Sequence, residues 1–255
     1  MNTSSEPKET PVYIENAPEI ETNEFIKVVT SRRSVRIYED SPIPQQIVRD
    51  CLENALLAPN SSNLQPWEFY WVKSSAKKSE LIKICLSQSA ARTAAELFVI
   101  VAHPKRWKKH AREMKQIYAS YETPTGRKLV TYYQIIVPLL YGLGFLGLLG
   151  PVKKLYAFFL GLKKPMIRES TSKEDIKLWA VKSTALAAEN LMLSFRAYGF
   201  DTCPMEGFDS KRIKKLLDLP KDSIVLMVIS AGKRAEGGIN TPRIRFDSSR
   251  FIQEV

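Results

Sequence analysis

The chain predicts an α/β or α+β domain with a small central sheet, and three observations carry that prediction. Two apolar runs, residues 97–102 (LFVIVA) and 224–229 (IVLMVI), have the length and unbroken apolar character of strands buried on both faces. Segments of helical periodicity alternate with them, without internal repeat or low-complexity tract. Hydrophobic residues make up 44% of the 255, enough for a substantial core and too many for a disordered chain.

Taken in order, residues 1–24 carry six glutamates against one lysine, so 1–22 reads as an extended acidic arm and 23–255 as one domain. Helical periodicity begins at Asn23, a candidate N-cap, and runs through Phe25, Ile26 and Val29 to Ser31. Pro44 suits the first turn of a second helix with apolar positions Ile47, Val48, Cys51, Leu52, Ala55 and Leu56. That helix stops before Pro59, and 59–63 is a polar loop. The aromatic-rich 67–72 reads as a strand, followed by short helices up to the strand at 97–102. The clearest helix runs from Lys173 to Tyr198, with Ser172 as N-cap and Gly199 as its stop. Asp209 caps a further short helix through Leu217, ahead of the strand at 224–229.

The net charge of +11 is unevenly placed. Residues 103–168 hold 13 basic and 2 acidic residues, while the remaining 189 hold 25 of each sign. Within that segment, 131–152 is a run of 22 uncharged residues, better suited to apolar contact than to a phosphate groove, so no nucleic-acid partner is expected. Three scattered cysteines, Cys51, Cys85 and Cys203, argue against a disulfide framework or a metal site. The polar start lacks a signal-peptide core, so a reducing, cytoplasmic setting is expected.

Residues 32–36, Arg-Arg-Ser-Val-Arg, place three guanidinium groups and a hydroxyl in five positions, and a second arginine pair, Arg243 and Arg245, lies near the C-terminus. Arginine offers planar paired donors for a phosphate or a polarised carbonyl, although either cluster alone is a weak signal and reads first as a solvated basic surface. The GxGxxG match at 142–147 lacks an acidic residue at the right distance and precedes no convincing crossover unit, and it is set aside. His103 and His110 have no nucleophile motif nearby and read as surface residues. Cys203 reads as a small core residue.

Four motifs taken together carry more: 32–36 (RRSVR), 58–67 (APNSSNLQPW), 203–209 (CPMEGFD) and 242–245 (PRIR). In this order and spacing they resemble the nitroreductase family of FMN-dependent oxidoreductases, over about residues 23–102 and 172–250. The resemblance implies an α+β, three-layer α/β/α sandwich with a small, mostly antiparallel sheet, assembled as an intertwined homodimer. It implies FMN as cofactor, NADH or NADPH as co-substrate, and ping-pong hydride transfer to an electron-poor small molecule such as a nitroaromatic or a quinone. Arg32 and Ser34, with Arg33 beside them, would hold the phosphate and ribityl end, and Arg243 and Arg245 would close on the phosphate. Arg36 would face flavin N1 and O2, where a cation offsets the negative charge of the reduced ring. Pro59, Asn60, Ser61 and Asn63 would come from the other subunit, supported by Gln65 and Trp67. Met205, Glu206 and Gly207 would lie at the N5/O4 side, and Gln88 matches an amide that bonds the pyrimidine ring. Glu206 and Arg36 are thus the catalytic candidates, with a capping or surface carboxylate as the plain reading of Glu206. A flavin-dependent dehalogenase or dehydrogenase on the same fold, and a membrane-recruited flavoprotein binding module, are the alternatives.

The family usually has a helical lid where this chain has a basic and apolar insertion, 103–170. Residues 105–115 read as a basic helix carrying Trp107, followed by the uncharged run and by 155–162 (LYAFFLGL) between lysine pairs. A run of 22 residues is long enough to span a bilayer, which needs roughly 20. Both flavin half-sites must reach the same side, however, and four glycines and Pro138 weaken the helix, so no span is expected. Three readings remain: a lid and dimer contact buried in protein, a segment resting on an anionic membrane surface through 105–164, or a partner-protein surface. The acidic arm is an intramolecular rival for the basic face.

Overall fold

The computed structural model of the chain describes residues 13–255, so the first part of the acidic arm lies outside the described residues. Four strands, β1 (Trp67–Trp71), β2 (Glu96–Ala102), β3 (Asp201–Met205) and β4 (Ile224–Gly232), form one sheet in the order β1-β2-β4-β3. Every pairing is antiparallel, which settles the class as α+β. Before β1 come α1 (Thr22–Ser31) and α2 (Gln45–Leu56), and between β1 and β2 lie α3 (Ser75–Ile84) and α4 (Ser89–Arg92). The insertion forms α5 (Trp107–Ala119), α6 (Pro124–Thr131), a π-helical turn (Tyr132–Ile136), α7 (Val137–Tyr141) and α8 (Leu149–Gly161). Then come α9 (Lys173–Ala197) and, between β3 and β4, α10 (Ser210–Leu216).

Alternation along β2 builds the layers. Leu97, Val99 and Val101 point into one core with Leu81, Ile84 and Ile213, under α3 and α10. Phe98 and Ile100 point to the other side and meet Val48, Cys51, Leu191 and Phe195 of α2 and α9. The result is the expected three-layer sandwich.

The sequence yielded three strands and missed β3. Its Pro204 and polar start weaken the strand pattern, and proline is tolerated here because β3 is an edge strand. A second correction concerns α1, which starts at Thr22 after Glu21, placing Asn23 inside the first turn rather than at the cap. The ends of α9 fall where they were expected. The Ser172 hydroxyl accepts from Asp175 N at 3.0 Å, and the Asp175 carboxylate accepts from Ser172 N at 2.8 Å. Such a capping box contributes about 1 kcal/mol. Gly199 ends the helix at φ +84°, with Phe200 N donating to Phe195 O at 2.9 Å.

The insertion divides into two parts of opposite character. Trp107, Ala111, Tyr133, Val137 and Tyr141 join Leu64, Ile176 and Trp179 in a third core, so Trp107 is buried. The uncharged run is broken by the π turn, by Gly144 at φ +71° and by the turn at Phe145–Gly147. Among the described residues, no helix is long and apolar enough to cross a membrane.

The two histidines also depart from the surface reading. His103 is 4% exposed, and its Nε2 lies 2.8 Å from the Glu68 carboxylate, which also accepts from Tyr70 and Arg106 at 2.6 Å each. Half-buried His110 lies 2.7 Å from the Leu64 carbonyl through Nδ1. Glu68 comes from β1, and the polar face of that strand supplied no pattern that would reveal the pairing. Burial, and then the charge of Arg106, push the His103 pKa below its ordinary value, outweighing Glu68. Stability from the neutral ring is therefore fully present above about pH 6.5, the unfolded value, and is lost as pH falls through it toward the folded value. The thermal midpoint is expected to fall between about pH 7 and pH 5, with His103→Gln flattening that slope. Parallel melting profiles for the two proteins would overturn the assignment.

Candidate functional site

The arginine motif is shaped by its neighbour β3. Ser34 bridges to Thr202, Val35 N donates to Thr202 O at 3.1 Å, and Arg36 N donates to Gly238 O at 2.8 Å. In this extended segment Val35 points inward and is fully buried, which turns Ser34 and Arg36 the other way. Among the described residues the Arg36 guanidinium has neither a hydrogen bond nor an ion pair, and Arg32 has only a 3.8 Å approach to Glu189.

The C-terminal tail closes the other side. Arg33 donates to the Thr241 carbonyl, and Arg243 donates to the carbonyls of Thr30 and Arg32. A cleft of about 250 Å³ results, lined by Arg32, Arg33, Ser34, Arg36, Arg243 and Arg245 together with 239–242 and Ile244. Among the described residues no carboxylate lines it. Desolvation, and then the charges of Arg245, Arg33 and Arg32, lower the Arg243 pKa from its ordinary value. Such a donor set fits a phosphate monoester.

Beneath the cleft lies a network that motif reasoning missed. Asp201 is 2% exposed and takes Arg196 at 2.9 Å on one oxygen and Arg234 in a two-pronged contact of 3.0 and 2.6 Å. Arg234 also reaches Ser31 O at 3.4 Å, joining the end of α1 to the start of β3. The available signal was a buried-strand aspartate placed five residues after an arginine.

From Thr202, β3 carries the chain four residues, roughly 13 Å, to the turn at Glu206 and Gly207. Glu206 is exposed, and Gln88 Nε2 donates to Gly207 O at 2.8 Å and to Cys85 O at 3.0 Å. A Cβ on Gly207 would stand 3.1 Å from Gln88 Nε2, so glycine suits this close approach. Leu86 and Ser87, at φ +58° and +50°, present Gln88 from two successive left-handed residues. Met205 is 3% exposed and its side chain belongs to the core, leaving its backbone for any ligand contact. Cys203 is buried as expected, its pKa raised by burial against the opposing charges of Arg36 and Arg32.

The loop at 59–63 lies elsewhere in the chain. Ser62, Asn63 and Gln65 have positive φ, and the Asn60 side chain accepts from Gln65 N at 2.8 Å. Three lid tyrosines brace it: Tyr141 Oη lies 2.9 Å from Ser61 Oγ, Tyr132 Oη lies 2.7 Å from Ser62 Oγ, and Tyr133 donates to Ser62 O at 3.0 Å. Sequence reasoning did not anticipate these tyrosines. Asn60 and Ser61 line a separate cleft of about 370 Å³ with Tyr141 and Trp179. Pro59 and Asn63 are exposed in the same loop. One chain therefore gathers the six residues of the arginine cleft, with Gln88 and the 206–207 turn along the same edge strand. None of residues 59–63 lines that cleft.

The model of the nitroreductase family matches residues 29–233. A putative NAD(P)H nitroreductase YdgI of Bacillus subtilis is 27% identical over 232 residues, covering 90% of this chain and 97% of that protein. Among solved structures, the putative nitroreductase ydfN of Bacillus subtilis superposes with a TM-score of 0.71 at 20% identity, covering 92% of this chain and 100% of its own. A putative nitroreductase from Exiguobacterium sibiricum, in complex with FMN, gives a TM-score of 0.63 at 22% identity, covering 97% and 100% respectively.

Proposed function

This chain belongs to the nitroreductase family, and on that premise we propose that it is an FMN-dependent oxidoreductase. It would take hydride from NADH or NADPH and pass it, in a second half-reaction, to an electron-poor acceptor such as a nitroaromatic or a quinone. The observation that carries this reading is the arginine cleft, without a carboxylate among the described residues and joined through β3 to the Gly207 turn. Arg32, Ser34, Arg243 and Arg245 would hold the FMN phosphate end, while Arg33 keeps the tail closed through Thr241. Glu206 and Gly207 would meet the ring, with Gln88 orienting the Gly207 peptide. When bound, FMN supplies a ring that accepts and releases hydride. Arg36, without a partner among the described residues, would place its cation against the charge that builds up there.

Homodimerisation is part of this proposal. None of residues 59–63 lines the arginine cleft of its own chain, and a second copy would supply that loop. In support, α1 buries none of its residues: Phe25, Ile26 and Val29 are exposed, as are Ile244, Phe246 and Phe251 in the tail.

Purified protein should be yellow and should oxidise NAD(P)H when menadione or a nitroarene is supplied. A colourless protein that cannot be reconstituted with FMN would sink the proposal. Flavin held without any NAD(P)H turnover would favour the non-reductase reading instead.

A further inference from the structure

The helix α8 is inside out. Its buried positions are the small residues Gly150 and Ala157, while Val152, Leu155, Tyr156, Phe158, Phe159 and Leu162 at its C-cap are each more than half exposed. At about 100° per residue, Val152, Leu155, Phe159 and Leu162 share one face, opposite Gly150 and Ala157. This orientation is fixed from within. Gly150 lies directly against the Thr171 carbonyl, where no side chain fits, and the Lys153 ammonium donates to Leu140 O at 3.0 Å and Ser170 O at 3.4 Å. Beside the helix, Phe145 and Leu139 are 79% and 62% exposed.

The edges of this face are basic. Lys154 flanks it, Lys163 and Lys164 follow its end, and no acidic residue occurs between Glu122 and Glu169. A second copy docking there through a two-fold axis would set Lys163 and Lys164 against their own equivalents, with Glu169, which shares a cleft with Lys154, as the nearest acidic residue in sequence. An anionic lipid surface meets both requirements, with apolar depth under the helix and negative charge at its rim.

We infer that α8 and its flanks dock on an anionic bilayer. The helix, about 20 Å long, lies in the plane of the interface with its outer face 5–10 Å deep, roughly at the acyl boundary. The lysines sit among the headgroups, and no segment crosses. This goes beyond the reductase reading and does not depend on it.

The test is flotation of the full-length, FMN-loaded protein with phosphatidylcholine vesicles, with and without phosphatidylglycerol, at physiological salt. The protein should float with the anionic vesicles and stay behind with the neutral ones. Changing Lys154, Lys163 and Lys164 together to glutamine should weaken anionic binding on the order of a hundredfold, about fivefold for each lysine. Leu155→Asp with Phe159→Asp should abolish it, while thermal unfolding and turnover of a water-soluble acceptor remain at wild-type values. Wild-type protein that ignores anionic vesicles, or flotation that survives both sets of changes, overturns the inference. It is also overturned if the Leu155/Phe159 variant sediments as a smaller oligomer than wild type, since a second copy then covers the face. Flotation without any NAD(P)H turnover would support the docking and count against the reductase alone.

Discussion

Replacement of Arg36 by alanine is expected to lower NAD(P)H-driven turnover by about 10²–10³-fold, the usual effect of removing one preorganised electrostatic group from a reacting centre. Its backbone is fixed by the bond to Gly238, its neighbour Val35 is locked in the core, and among the described residues its guanidinium has no partner to lose. The change therefore removes a charge without dismantling a structure. Arg36→Lys should recover part of the rate, because an ammonium supplies the charge without the planar fork. Arg32→Ala should act differently, weakening FMN affinity by about 10–100-fold through the loss of a charge-assisted contact, with a smaller effect on the rate at saturating FMN. Steady-state rates and FMN titrations separate the two. Equal turnover by Arg36→Ala and wild type would remove Arg36 from the reacting centre.

Asp201→Ala should cost about 3 kcal/mol of folding stability. Removing one partner of a buried ion pair costs about 3–5 kcal/mol, and the lower end applies because water still reaches Arg196 and Arg234 at 23% and 34% exposure. For a chain of this size the melting temperature should fall by about 6–12 °C. Asp201→Asn keeps the shape and one acceptor and should lose less. FMN affinity should fall with stability in the alanine variant, because Arg234 also secures Ser31 at the entry to the arginine motif. Calorimetry and flavin titration of the same samples would show both effects. A variant as stable as wild type would mean that the two guanidinium groups are satisfied by water alone.

The sequence was legible where one interaction dominates. The β2 and β4 runs are buried on both faces, so hydrophobicity alone marked them, and Ser172, Gly199 and Asp209 act on backbone only a few residues away. The arginine cleft was legible because its residues form short clusters with a common chemistry. What escaped notice depends on distant partners. β3 is a strand because β4 accepts it along one edge, despite Pro204. His103 looked like a surface residue beside lysines, yet Glu68, 35 positions earlier, draws it inside. Trp107 likewise sits in a charged stretch and is buried by α7 and α9. Charge counting placed the insertion among unusual segments but did not divide it, because an uncharged run looks the same whether it faces a core or solvent. The division came from which side chains face inward: Val137 and Tyr141 do so in α7, whereas in α8 only Gly150 and Ala157 are buried.

The hydroxyls of Tyr132, Tyr133 and Tyr141 give the insertion a role in inheritance as well as in packing. Surface insertions are commonly exchangeable among relatives because the scaffold does not depend on them. Here three tyrosines of the insertion brace a loop whose Ser62 and Asn63 sit in backbone conformations that such residues adopt at a cost. A lid transplanted from a relative without those hydroxyls would leave the loop without its braces, and an altered loop would leave the lid with unpaired phenols. The two segments, some 70 residues apart in the chain, form one heritable module, and any chimera built on this scaffold has to move them together.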